Sequence, residues 1–245
     1  MTCLAVTEVS HGYGSGAQRV LALNGLSLEV GPGEVVCIAG PSGSGKTALC
    51  HLAAGLESPD MGTVTLAGLP TAGIVDWSQV AIDTQQHGLL PELTVSENVY
   101  LPAYRAAADV LHLPSLLTSL DLTELADRVT AATSLGEQQR TSIARALSMS
   151  PRVLVLDEPT GHQDDEHVEQ VLDVVLTATR SASAVLVCTH DDRVLDVADR
   201  VVRLDEGRTL GRLDISETPT SQLLSQTGPA RDHLQPGPDR SCASE

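Results

Sequence analysis

The chain has 245 residues, 42% hydrophobic and 2% aromatic with no Phe, a formal net charge of −17 and an isoelectric point near 4.7. That length suits one large α/β domain or two small ones, with a core built from Leu, Val, Ile and Ala. The acidic balance argues against broad nucleic-acid binding, which needs Lys and Arg to neutralise phosphates, and against adsorption to an anionic lipid surface.

The N-terminus "MTCLAVTEVS" has no basic start and no long apolar stretch, so it does not read as a signal peptide. Roughly the first 30 residues alternate apolar and polar and read as antiparallel strands with a Gly-rich turn at "HGYGSG". "EVVCIAG" is an apolar run ending in Gly, suited to a buried strand, and "KTALCHLAAGL" after it reads as a helix. "GTVTLAG" reads as an edge strand closed by a turn. From Leu93 to Leu147 the pattern is helical, with "DVLHLPSLLTSLDLTELADRV" broken once by Pro114. "VLVLDEP" is a second buried strand. "DEHVEQVLDVVLTATR" is an amphipathic helix with its apolar stripe on Val168, Val171, Leu172 and Val175. "AVLVCTH" is a third buried strand, "DDRVLDVADR" a helix, and "RVVRLDEGR" a final strand and turn. The end, with "TGPARDHLQPGPDRSCASE", has the composition of a disordered tail. The expected layout is a domain over 1–212, a helical subdomain at about 90–147, and a tail over 213–245. No stretch reaches the roughly 18–20 apolar residues that span a bilayer, so a soluble, cytoplasmic chain is expected. Cys3, Cys37, Cys50, Cys188 and Cys242 are odd in number and form no CxxC pair. They are expected as free thiols, Cys37 and Cys188 acting as small buried hydrophobes.

"GPSGSGKT", Gly40 to Thr47, fits G-x-x-x-x-G-K-[ST] in full, between the strand and the helix that this motif requires. The residues Gly40, Pro41, Ser42, Gly43, Ser44 and Gly45 form the loop, with Ala48 just beyond it. Gly43 and Gly45 let the backbone wrap closely, so that N–H groups point at phosphate oxygens, and the helix start adds the positive end of its dipole. Lys46 is the only lysine in the chain; it supplies a point charge for β- and γ-phosphates, and the Thr47 hydroxyl can ligate Mg²⁺. In "VLVLDEPT", Asp157 ends a buried strand, where a carboxylate can hold Mg²⁺ through water, and Glu158 is placed to polarise an attacking water. His190 in "VCTHDD" ends the third strand and would emerge on the same rim, able to hydrogen-bond the γ-phosphate and the water.

Taken in order, "HGYG", "GPSGSGKT", "DTQQHGLLPELTVSENV", "TSLGEQQR", "LVLDEPTGHQD" and "CTHDD" resemble the ATPase subunit of an ABC transporter over about residues 1–212. "LLPELTVSENV" and "DEPTG" are most similar to the bacterial branch that energises lipoprotein-releasing, macrolide-export and cell-division permeases. The resemblance implies a P-loop NTPase fold with an antiparallel β subdomain and an inserted helical signature subdomain. It also implies ATP and Mg²⁺ as cofactors. On the same basis Tyr13 would stack on adenine. Gln85, or its neighbour Gln86, would sense Mg²⁺ and γ-phosphate and link the site to a permease. Ser134 and Gly136 would present a helix N-terminus to ATP. Asp164 would belong to the loop that crosses the dimer interface, and His190 would be the switch histidine.

The family's geometry implies a head-to-tail dimer, in the simplest case of identical chains, with each ATP between the P-loop of one subunit and the signature helix of the other. Closure on ATP and opening after hydrolysis would drive a permease on a separate chain, at the inner face of the cell membrane. Three departures stand out. The signature reads Thr133-Ser134-Leu135-Gly136 where Leu-Ser-Gly-Gly is usual, Gln163 stands where an apolar residue is expected, and Ala48 follows Thr47 where a second hydroxyl is common. Leu135 therefore keeps open a slow, regulatory subunit beside the motor reading; a soluble ABC ATPase acting on DNA or the ribosome is disfavoured by the acidic charge. At Leu135 the backbone either needs a positive φ, which costs Leu roughly 1–2 kcal/mol more than Gly, or is already helical, at little cost.

Overall fold

The computed structural model describes residues 2–72, 76–108 and 112–213. The expected tail lies outside the described residues, apart from Leu213, which closes the last strand. The N-terminal strands β1 (Leu4–Tyr13) and β2 (Val20–Val30) pair antiparallel, as the alternation predicts. β3 (Val35–Ala39) and α1 (Lys46–Ala53) flank the Gly loop. β4 (Met61–Leu66) and the two-residue β5 (Leu69–Pro70) complete a four-stranded sheet of order β2-β1-β4-β5. β4 is therefore not the edge; β5 is.

β6 (Val80–Asp83) is a strand that apolar patterning does not single out. The helical stretch contains α2 (Val95–Ala106), α3 (Leu113–Ser119) and α4 (Leu135–Leu147). Pro114 does not break a helix. It sits in the first turn of α3, where its missing N–H costs nothing and its fixed φ helps. The proline inside a helix is Pro102, in α2. β7 (Val153–Asp157), α5 (Asp165–Arg180), β8 (Ala184–Thr189), α6 (Asp192–Val197) and β9 (Arg200–Asp205) follow. β10 (Arg208–Leu213) turns back on β9, so the final strand and turn form a hairpin.

The second sheet has six strands in the order β10-β9-β3-β8-β7-β6. All pairs except β9–β10 are parallel. Both of its faces are covered, and this explains the unbroken apolar runs. Val36, Ile38, Val155 and Leu186 pack with α1 and the antiparallel sheet, while Cys37, Leu154, Leu156 and Val187 pack with α4 and α5 on the other side. On α5, Val168, Val171 and Val175 are buried and Leu172 is partly so. Cys3, Cys37, Cys50 and Cys188 are free thiols, and all but Cys3 are buried. No helix among the described residues is long and apolar enough to cross a membrane.

Asn98, fully buried on α2, ties the helical segment together. Its amide donates to the Leu90 carbonyl at 3.0 Å and Thr130 Oγ1 at 2.8 Å, and its carbonyl accepts from Leu90 N at 2.9 Å. A reciprocal capping box between Thr94 and Glu97 starts the same helix.

Candidate nucleotide site

The Gly loop leaves β3 and enters α1 through Gly45, whose φ is 108°. A β-carbon there would lie 2.3 Å from the Ala22 carbonyl oxygen, so both backbone and space demand glycine. The loop then points the N-terminus of α1, with its unpaired amides and positive dipole end, into a cavity of about 840 Å³. Lys46, 8% exposed, folds its ammonium back over the loop. Nζ donates to the Gly40 carbonyl at 2.7 Å and the Pro41 carbonyl at 3.2 Å, and lies 3.8 Å from Glu158 Oε1.

β3, β8 and β7 are adjacent and in register, Ala39 opposite Thr189 and Asp157 opposite Cys188. Their ends bring Gly40, His190 and Asp157 to one rim. Asp157 is 2% exposed. Burial, and the neighbouring Glu158 carboxylate, raise its carboxyl above the usual range, against the pull of the Thr47 hydroxyl bond, His51 and Lys46. Its Oδ2 is buried without a hydrogen-bond partner. An oxygen pair of hydroxyl and carboxylate, one oxygen unsatisfied, fits a hard divalent cation such as Mg²⁺.

Glu158 has a φ of 56°, rare for a residue with a side chain. Three bonds hold its backbone there: its amide donates to the Cys188 carbonyl at 2.8 Å, and its carbonyl accepts from Gln139 Nε2 at 2.7 Å and the Gly161 amide at 3.1 Å. The carboxylate Oε2 accepts from Thr189 Oγ1 at 3.0 Å and lies 3.0 Å from His190 Nδ1. A turn carrying Gln85 closes one side. α4 pins that turn, with Ser142 Oγ donating to the His87 carbonyl at 3.0 Å and Arg145 to the His87 and Gly88 carbonyls.

The opposite end is apolar. Tyr13 ends β1 directly across from Val20 of β2, and Tyr13, Val20 and Leu21 are exposed there. Burial, and the hydrogen bond to Glu57, push the Tyr13 phenol up to about 12. Burial works against ionisation of Glu57, but bonds from Tyr13, His51 and His11 hold its carboxyl below the usual range.

Tyr13, Gly40, Pro41, Ser42, Gly43, Gly45, Lys46, Thr47, Ala48, Gln85, Asp157, Glu158 and His190 line the one cavity. Ser44, also in the loop, does not line it and is 3% exposed. Ser134, Gly136 and Asp164 lie outside it. Ser134 caps α4, its Oγ accepting from Glu137 N at 3.2 Å while Glu137 Oε2 accepts from Ser134 N at 2.6 Å. Asp164 caps α5, accepting from His167 N at 3.0 Å. Val20, Leu21, His87, Gln139, Gly161 and His162 also line the cavity. His87, Gln139, Gly161 and His162 lie inside the quoted motifs beside residues already singled out, whereas no motif announces Val20 and Leu21, which reach the cavity from β2.

Leu135 is the first residue of α4, 56% exposed and absent from the residues of positive φ. It is the helical alternative that holds, so no left-handed strain falls on it. The demand for glycine sits one residue on. Gln163, the unexpected polar residue, packs beside Gly136, its Nε2 donating to the Gly136 carbonyl at 2.9 Å and its Oε1 accepting from Arg140 at 2.9 Å.

A profile of the ABC transporter family matches residues 23–161. The chain is 37% identical over 217 residues to the lipoprotein-releasing system ATP-binding protein LolD of Granulibacter bethesdensis, covering 84% of this chain and 95% of that one. It is 38% identical to LolD of Nitrobacter hamburgensis over 217 residues, 83% of this chain and 93% of the relative. Among solved structures it resembles the dimeric ATP-binding cassette MJ0796 in a post-hydrolysis state bound to ADP and Pi. The TM-score there is 0.81 and the identity 27%, over 88% of this chain and 100% of the other.

Proposed function

The chain belongs to the ABC transporter family of ATP-binding subunits, and on that premise we propose that it is the ATP-hydrolysing motor of a bacterial transporter or mechanotransmission complex. The observation that carries this reading is the convergence of Lys46, Thr47, Asp157, Glu158 and His190 on one cavity with an aromatic and aliphatic mouth. ATP lies with its base against Tyr13 and its phosphates in the loop from Gly40 to Thr47. Lys46 turns from its backbone acceptors to the β- and γ-phosphates. Thr47 and Asp157, with Gln85 at the edge, would hold Mg²⁺. When bound, the cation neutralises phosphate charge and fixes the leaving diphosphate oxygens.

Glu158 accepts a hydrogen bond from the water that attacks the γ-phosphorus in line. The bond to the β–γ bridging oxygen breaks, giving ADP and phosphate. His190 orients the carboxylate and contacts the γ-phosphate. Family likeness supports a head-to-tail dimer in which the N-terminus of α4, at Ser134 and Gly136, meets the partner's ATP, with Asp164 in the loop at the interface. The two leading amides of α4 have no acceptor within the helix and suit an anion.

Closure and opening of this dimer would move a permease made of separate chains, with the subunit held at the inner face of the membrane. We assign residues 1–212 to the ATPase domain and about 90–147 to its helical subdomain. Co-purification with a membrane permease, with ATP turnover lost on Lys46→Ala, tests the reading. Turnover that survives Lys46→Ala would overturn it.

A further inference from the structure

At the base end of the cavity, one carboxylate holds the Tyr13 hydroxyl. Glu57, in the loop between α1 and β4, meets three side chains from two elements. The Tyr13 hydroxyl donates to its Oε2 at 2.8 Å, and His11 Nε2 lies 2.9 Å from the same oxygen. His51 Nδ1, on α1, lies 3.0 Å from Oε1. Asp60 grips the same turn of β1 from further along the loop, accepting from the Gly12 amide at 2.8 Å and pairing with Arg19. The His11 ring packs edge-on to Tyr13, with centroids 5.0 Å apart and planes at 89°.

We infer that Glu57 is a positioning residue for the nucleotide base, setting the plane of the Tyr13 ring and tying it to the helix that carries Lys46. The inference rests on the reading of Tyr13 as the adenine platform. Tyr13 is 45% exposed at a strand end, so its ring would otherwise sample several orientations. A hydrogen bond to an ionised acceptor is stronger than one to a neutral group, and it leaves the ring face free for the base. His51 sits on the helix that starts at Lys46, so one carboxylate joins the base platform to the phosphate loop. Fixing the Tyr13 ring before binding lowers the ordering cost of seating the base.

The test measures dissociation constants of the full-length chain for ATP and for tripolyphosphate, which has no base. Tyr13→Ala, Tyr13→Phe, Glu57→Ala and the double variant Tyr13→Phe/Glu57→Ala are compared with the unmodified chain. Tyr13→Phe keeps the ring and the fold and removes only the hydroxyl. We expect Tyr13→Phe and Glu57→Ala each to weaken ATP about three- to tenfold, since each removes a charge-assisted bond. The double variant should be no weaker than Glu57→Ala alone, because both changes delete the same contact. Tripolyphosphate should bind all variants within about twofold of the original. Additive losses, unchanged ATP affinity in Tyr13→Phe, or equal weakening of tripolyphosphate would each overturn the role of Glu57. Unchanged ATP affinity in Tyr13→Ala would instead refute the adenine platform itself.

Discussion

The backbone carbonyl oxygen of His162 stands 2.8 Å from the point where a β-carbon on Gly136 would sit. Real β-carbons do not come that close to backbone oxygens, so the loop after β7 and the start of α4 fit together only because residue 136 is glycine. Leu135, which looks like the damaged position in "TSLGEQQR", points outward at 56% exposure.

Gly136→Ala should therefore displace either the loop or the helix start. Overpacking of this kind costs about 1–3 kcal/mol. We expect a lower melting temperature and at least a roughly tenfold loss of ATP turnover in the assembled complex. An unchanged melt and turnover would show that the contact yields freely.

Leu135→Gly, which restores the usual pair of glycines, should not speed hydrolysis. The residue is already helical, so glycine relieves no strain and costs up to about 1 kcal/mol of helix stability. Steady-state turnover with the permease present is the measurement, and a severalfold acceleration would show that the side chain, not the backbone, obstructs the site.

Gln163→Leu restores the expected apolar residue but removes two hydrogen bonds, to the Gly136 carbonyl and from Arg140. Arg140 is 5% exposed and keeps only its bond to the Leu120 carbonyl, at 2.9 Å, among these contacts. A loss of about 1–3 kcal/mol is expected from the denaturation midpoint, as for a buried donor deprived of its acceptor.

Glu137 gives a pH signature to the start of α4. The bond from the Ser134 amide, followed by the Ser134 side chain and the charges of Arg128 and Arg140, holds its carboxyl below the usual range despite burial. A depressed folded-state pKa means stability that is present above the unfolded value, about 4.3, and lost as pH falls through the folded value. Glu137→Gln should flatten that part of the acid limb in a melting-temperature profile. An acid limb identical to that of the unmodified chain would show that the capping box carries no linkage.

The phosphate half of the candidate site was legible because its residues fall in short runs at the ends of apolar strands. A full Gly-x-x-x-x-Gly-Lys-Thr loop between a strand and a helix, and acids at the end of an apolar run, each point to phosphate and cation chemistry. The apolar mouth was not legible in the same way. Val20 and Leu21 become a cavity wall only through the β1–β2 register, and Glu57 meets Tyr13 across 44 positions of sequence. β6 carries little apolar signal because its four residues end in Asp83, a buried acid. Pro114 misled because a proline in a first helical turn and a proline that breaks a helix look alike without the cap. At Leu135 the sequence posed the choice between strained and helical backbone, and only the dihedral angle could decide it.

In the proposed function, Glu158 activates water in a site shared between two head-to-tail chains. The direct measurement is the oligomeric state of full-length Glu158→Gln with ATP and Mg²⁺, by sedimentation velocity, with and without the permease. An ATP-dependent dimer that does not turn over is expected, and it should be absent when Lys46→Ala is added. A Glu158→Gln chain that stays monomeric with ATP, and shows no closure when bound to the permease, would contradict it.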